Sequence, residues 1–221
     1  MIIGLNGLIG SGKGAASEYL QAKHNFQHLS FADSLKHAVG AIFGWPFEML
    51  KGATSESRAW REVEDKWWSE RLQIPNLTPR WILQQWGTEV GRRSFHPDIW
   101  VASLENKIIN STSDIVIDDC RFINEMDIIR KNGGSLIRIN RGKLPVWYND
   151  ALMELSHSEE YRNDSRYISL METKYPDVHI SEWGWVNQPF DYEVDNNGTL
   201  EELHQKLDEI IEMEATRSFP L

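Results

Sequence analysis

The chain has 221 residues, 41% of them hydrophobic and 25% charged, which suits one globular domain and excludes a fibrous or low-complexity chain. A net charge of −10 argues against general binding to a nucleic-acid backbone, and no apolar run reaches the length of a membrane span. Cys120 is the only cysteine, so no disulfide can close within the chain and a cysteine-built zinc site is excluded.

The run Met1-Ile2-Ile3-Gly4-Leu5 reads as a buried strand at the very start, which leaves no room for a signal peptide and points to a cytoplasmic protein. It enters Gly7-Leu8-Ile9-Gly10-Ser11-Gly12-Lys13, a G-x-x-x-x-G-K spacing. Glycines there let successive N–H groups turn inward on a phosphate chain, and Lys13 would reach the β- and γ-phosphates. The helix predicted from Lys13 to Lys23 adds the positive end of its dipole. Gly7, Gly10, Ser11, Gly12, Lys13 and Gly14 are thus candidate ATP-binding residues. Gly14 stands where Ser or Thr usually supplies a hydroxyl to Mg²⁺, so an acid elsewhere must carry more of that ion.

Phe26 to Phe31 reads as a second strand. Asp33 is expected to cap a helix from Ser34 to Phe43 that ends near Gly44-Trp45-Pro46. Lys51 to Pro79, with Trp60, Trp67 and Trp68, reads as a helical excursion from the sheet. Thr78-Pro79 opens a further helix through Trp86. Within it Trp81, Trp86, Gln84 and Gln85 could stack on and read a base. Gly87-Thr88-Glu89-Val90-Gly91-Arg92-Arg93 follows, where Arg92 or Arg93 could hold a monophosphate. Another helix is predicted from Pro97 to Ile109.

Ile115-Val116-Ile117-Asp118-Asp119 is a buried strand ending in two acids, the way a phosphate-loop protein places a carboxylate near Mg²⁺, directly or through water. Arg121 could grip a phosphate bidentately. A helix from Asn124 to Lys131 and a strand from Ser135 to Asn140 come next. Residues 141–190 show no clear periodicity and read as an extended surface excursion or lid. Arg138, Arg141, Lys143, Arg162 and Arg166 scatter through this part, and Arg141 is best placed, just past a strand end. His157-Ser158-Glu159 and His179-Ile180-Ser181-Glu182 share an H-x-S-E-like pattern, which admits a metal site but differs from the H-E-x-x-H spacing, and a lone histidine in a loop is more often structural. Tyr192 to Asp195 is a last strand, and Thr199 opens a capping box before a helix to about Glu214. Strands alternating with helices predict an α/β fold with a mainly parallel sheet and ligands at its carboxyl edge. That edge would carry Gly7 to Lys13, Asp33, Asp118 to Arg121 and Arg141.

These motifs have a family likeness. The phosphate loop, Gln84-Gln85-Trp86-Gly87-Thr88-Glu89-Val90-Gly91-Arg92 with His96-Pro97-Asp98-Ile99-Trp100, and Ile117-Asp118-Asp119-Cys120-Arg121-Phe122 together resemble the bacteriophage deoxynucleoside monophosphate kinases. His179-Ile180-Ser181-Glu182 and Tyr192 to Leu203 resemble them too. The resemblance implies a P-loop NTPase-type three-layer α/β/α fold, with a five-stranded sheet, a helical substrate-binding excursion and a lid. It implies one domain over residues 1–221. The core would be about 1–44, 97–140 and 190–214, the nucleotide-acceptor region about 45–96, and the lid about 141–190. The implied reaction transfers the ATP γ-phosphate, with Mg²⁺, to a 2′-deoxynucleoside 5′-monophosphate (dNMP) for phage DNA synthesis. Lys13, Asp119, Arg121 and Arg141 would then be catalytic, and Asp118 and Asp119 would face the metal. Asp33, Lys36, Trp81, Gln84, Gln85, Thr88, Glu89, Arg92 and Arg121 would bind the dNMP. The expected partners are dNMP and ATP, with no nucleic acid and no membrane, in a monomer or homodimer. Rival readings are a dephospho-coenzyme A kinase-like enzyme and a nucleotide-binding protein without catalysis.

Overall fold

A computed structural model of the chain describes residues 1–158 and 167–217. Arg162, Arg166 and the Glu159 end of the first His-Ser-Glu stretch lie outside the described residues. The chain divides into two units, Met1–Leu29 with Ser111–Leu221, and Ser30–Asn110.

The first unit holds a five-stranded sheet, in the order β2-β3-β1-β4-β5. Its strands are β1 (Ile2–Asn6), β2 (Gln27–Leu29), β3 (Ile115–Ile117), β4 (Ser135–Asn140) and β5 (Tyr192–Asp195). All four pairings are parallel, with Ile3 opposite Val116 on one side of β1 and opposite Ser135 on the other. Alternation along the strands gives the sheet two faces. Ile3, Leu5, Ile137 and Ile139 pack with Leu20 of α1 (Lys13–His24) and Leu203, Leu207 and Ile210 of the C-terminal helix Leu200–Arg217. The other face meets α8 (Ile123–Lys131). A Cβ on Gly4 would come within 2.7 Å of Ile129 and Leu136, so only glycine lets α8 lie this close. The result is a three-layer α/β/α arrangement with helical insertions, of the phosphate-loop NTPase type.

Within the stretch read as an extended surface excursion or lid, the described residues form short helices, α9 (Tyr148–Ser156), α10 (Leu170–Lys174) and α11 (Ile180–Trp183). Tyr148, Met171, Trp183, Trp185 and Val186 from it are buried. Arg138, counted above among the scattered arginines, lies 5.4–5.7 Å from the ring centres of Tyr148, Trp185 and Phe190. It is a cation held among three aromatic rings, an attraction that strengthens as water is excluded.

The second unit is helical. It contains α2 (Asp33–Phe43), α3 (Phe47–Lys51), α4 (Ser55–Trp60), α5 (Lys66–Leu72), α6 (Pro79–Gln84), a π-helix (Gln85–Phe95) and α7 (Ile99–Ile109). Its core gathers Leu35, Val39, Phe43, Trp45, Leu50, Leu77 and Ile82, with Trp60, Trp68, Trp81, Trp86 and Trp100 packed around them. Thr78 caps α6 by accepting from the Trp81 N–H at 3.2 Å, with Pro79 at its first position. Two expectations change here. Asp33 does not cap α2: Ala32 holds that position without a side-chain bond, and Asp33 lies in the first turn. The helix expected to stop at Trp86 continues, widened, to Phe95.

Among the described residues, no helix is long and apolar enough to cross a membrane.

Candidate active site

Parallel strands put every strand's carboxyl end on one edge of the sheet. In the first unit that edge carries Gly7–Gly12 after β1, Asp118–Arg121 after β3, Arg141 after β4 and Asn196 after β5. Gly12 has φ +104°, a conformation that side chains rarely adopt, and the space its Cβ would need holds the Asn196 amide. Asn196 Nδ2 donates to Ser11 O at 2.8 Å, and Asn6 Nδ2 donates to Cys120 O at 2.9 Å. Two buried amides thereby tie the phosphate loop to β5 and the end of β1 to the segment after β3.

Lys13 folds over its own loop, donating to Gly7 O at 2.6 Å and Leu8 O at 3.0 Å. Its pKa is pushed down from 10.5 to about 8. Burial is the largest cause and the Arg121 charge the next, while Glu182 and Asp118 oppose them. Lys13, Arg121, Asp118 and Glu182 are therefore one charge cluster. Asp118 Oδ1 is held by His28 Nε2 at 2.8 Å. The Glu125 carboxylate accepts the N–H groups of Arg121 and Phe122 at 2.8 and 3.1 Å, which fixes the start of α8 and the backbone from which Arg121 projects. The Arg121 guanidinium pairs with Glu182 through Nη1. Arg141 is exposed. Gly142 N–H, next to it, donates to Asn197 Oδ1 at 2.7 Å.

Asn6 Oδ1 and Ser11 Oγ are buried and have no hydrogen-bond partner among the described residues. Buried polar atoms left so are uncommon, and Ser11 Oγ sits within the loop, so its hydroxyl can still serve a phosphate oxygen. Cys120 is fully buried, and desolvation holds its thiol well above its ordinary pKa.

In the second unit, Lys36 Nζ lies 3.7 Å from Asp33 Oδ1. Trp81 and Trp86 are half-buried against the apolar core, and Trp86 meets the Phe43 ring edge-on. Gln84 and Thr88 are exposed; Gln85, Glu89 and Arg92 are half-buried. Glu89 pairs with Arg93 at 2.9 Å. The π-helix that carries most of these residues is held open by Trp100, whose Nε1 donates to Gly87 O at 2.9 Å. A Cβ on Gly91 would come within 2.7 Å of the Trp100 ring. π-Helical turns are rare and frequent at functional sites, and this one presents Thr88, Glu89 and Arg92 along a short stretch.

No model of a known protein family matches the chain. Over 155 residues, 64% of this chain and 74% of the relative, it is 34% identical to the "Putative deoxynucleotide monophosphate kinase" of Acanthamoeba polyphaga mimivirus. The chain belongs to that deoxynucleotide monophosphate kinase family. The "Deoxynucleoside-5'-monophosphate kinase" of Escherichia phage T5 is 43% identical to the kinase over 56 residues, 25% of this chain and 22% of that protein. Among solved structures, the dephospho-CoA kinase from Campylobacter jejuni is 15% identical at a TM-score of 0.45 and covers 96% of both chains. The shikimate kinase from Aquifex aeolicus vf5 is 13% identical at 0.43, covering 98% and 99%. The kinase is an ATP-dependent phosphotransferase acting on a small molecule.

Use of ATP by a phosphate-loop kinase implies Mg²⁺. Among the described residues of the kinase, no cluster of three or more His, Cys, Asp or Glu could hold a metal alone. Asp118 and Asp119, at the end of a strand beside the loop, still suit Mg²⁺. This ion takes one or two carboxylates, water and phosphate oxygens rather than an all-protein cage.

Sequence reasoning missed His28, Asn6 and Asn196, and gave Glu182 no role, although its motif was weighed for a metal and counted in the family resemblance. His179 of that motif caps α11, accepting from the Ser181 N–H at 3.2 Å. A polar residue closing apolar β1 and another at the centre of short β2 were the available signals for Asn6 and His28.

Proposed function

We propose that the kinase transfers the γ-phosphate of ATP to a 2′-deoxynucleoside 5′-monophosphate, giving a deoxynucleoside diphosphate and ADP for DNA synthesis. The observation that carries this reading is the 34% identity to the mimivirus relative, over 74% of that protein. The charge cluster around Lys13 supports it. Lys13 and the N–H groups of Gly7 to Gly14 hold the ATP phosphates, with Ser11 Oγ as an added donor. Arg121 grips the phosphoryl group in transfer, and Arg141 adds charge at the same sheet edge. Asp119, with Asp118 braced by His28, would hold Mg²⁺, which would supply charge neutralisation for the phosphoryl group in transfer.

In the helical unit, Arg92 takes the acceptor phosphate. Asp33, Lys36, Gln84, Gln85, Thr88 and Glu89 supply hydrogen bonds, with Trp81 as an apolar wall. The acceptor oxygen attacks phosphorus in line, and no covalent enzyme intermediate is needed. Positioning and charge neutralisation provide most of the rate.

The test is ADP release from Mg²⁺-ATP in the presence of each dNMP, each ribonucleotide and dephospho-coenzyme A. Stimulation by one or more dNMPs is expected, and reads out base preference at once. Stimulation by dephospho-coenzyme A and by no nucleotide would overturn the reading.

A further inference from the structure

Glu182 has no role in the chemistry above, yet its carboxylate is bound to Arg121. Its place is firmly built. His179 caps the single turn of α11, Trp183 at its end and Trp185 beyond it are buried, and Trp185 Nε1 donates to Ser181 O at 3.2 Å. Trp185 is in turn one wall of the aromatic cage around Arg138 of β4. Glu182 is thus pinned to the sheet through its neighbours rather than carried on a loose loop. Arg121 meets it from the segment after β3, its backbone N–H fixed by Glu125. Two cations, Lys13 and Arg121, share this edge and repel each other, and Glu182 is an anion that acts on both.

We propose that Glu182 is the positioning residue for Arg121: it holds the guanidinium by one prong, Nη1, beside the phosphate loop and leaves the other N–H groups directed at the phosphoryl group. This rests on the reading that Arg121 touches the transferred group. A planar fork gripped at one edge keeps its orientation before the nucleotide arrives, and small errors in such placement are costly to rate. The same carboxylate is a like charge to the incoming phosphates. At about pH 6.5, where Lys13 keeps its charge, removal of the carboxylate therefore slows chemistry without weakening ATP binding, a split that a merely structural residue does not produce.

The experiment uses the full chain with Mg²⁺-ATP and no acceptor, so it does not depend on which acceptor is correct. ATP affinity and the single-turnover rate of ATP hydrolysis are measured for wild type, Glu182→Gln and Glu182→Asp. Glu182→Gln is expected to lower the rate about 10-fold while ATP binds as tightly or more tightly, and Glu182→Asp to recover part of the rate. Arg121→Lys keeps the charge but has no fork to orient, so adding Glu182→Gln to it should change the rate less than about twofold. A wild-type rate in Glu182→Gln, weakened ATP binding, or the same loss in the Arg121→Lys background would overturn the proposal. Should Glu182→Gln fail to fold, Glu182→Asp alone decides. A rate equal to wild type with unchanged affinity counts against precise positioning, and a reduced rate at unchanged affinity counts for it.

Discussion

Around the phosphate loop, positions are fixed by backbone. A left-handed Gly12, a sheet in parallel register and buried amides on carbonyls leave few ways to place Lys13. In the unit Ser30–Asn110 they are fixed by rings. Half-buried tryptophans surround a core drawn largely from helices, and one indole holds a π-helix open. Backbone-built sites change little with side-chain identity away from the loop. Ring-built sites are adjustable, because one aromatic substitution reshapes the surface. The division suits an enzyme that handles one invariant phosphate chain and one acceptor of particular shape.

The comparison breaks most visibly at Lys13. Lys13→Ala should lower turnover about 100-fold or more while a cooperative unfolding transition is retained; wild-type turnover in a coupled ADP assay would remove the phosphate-loop assignment. Next come paired glycine substitutions. Gly12→Ala forces a Cβ onto a left-handed backbone and into the Asn196 amide. A stability loss of about 1–3 kcal/mol in urea titration is expected, together with weaker ATP binding. Gly91→Ala drives a methyl toward the Trp100 ring and should cost a similar amount, about 1–3 kcal/mol. Its signature is the reverse, a raised acceptor KM with ATP affinity nearly unchanged. If both variants affect ATP alike, the contrast between backbone-built and ring-built regions fails.

A subtler effect comes from pH. Lys13 in the folded protein titrates near 8 rather than 10.5. Between these values the unfolded chain holds the extra proton, so this group makes stability rise with pH across that window. ATP affinity should move the opposite way, weakening above pH 8 as Lys13 loses its charge. Lys13→Arg should flatten that fall, since arginine stays protonated. Binding titrations from pH 7 to about pH 9.5 read the difference. The smallest effect is expected at Arg93, an exposed partner of Glu89. Arg93→Ala should change stability by less than about 0.5 kcal/mol in thermal melts, whereas Arg92→Ala should raise the acceptor KM.

Local patterns were legible in the sequence. An apolar run followed by glycines at fixed spacing specifies β1 and its loop with no help from elsewhere, and Ile115–Ile117 running into Asp118 does the same for β3. What depended on distant partners was not. Glu182 meets Arg121 from 61 positions away and His28 meets Asp118 from 90. The π-helix needs Trp100 on Gly87 and the missing side chain at Gly91, neither visible as periodicity. Asp33 looked like a cap because its residue type favours one, but the turn from Ser30, whose carbonyl accepts the Asp33 N–H at 3.2 Å, starts the helix a position early. The described part of residues 141–190 hid its order because short helices with few buried anchors, such as Tyr148, Met171 and Trp183, have too few turns to show a period.

Cys120 lies wholly within the protein, its sulfur in surroundings that disfavour the reactive thiolate, and the chain has no other cysteine. The native chain should thus be silent to maleimide dyes. A cysteine introduced at Ile9, on the exposed tip of the phosphate loop, would carry the sole label. Nucleotide arrival could then be followed optically in otherwise unaltered protein.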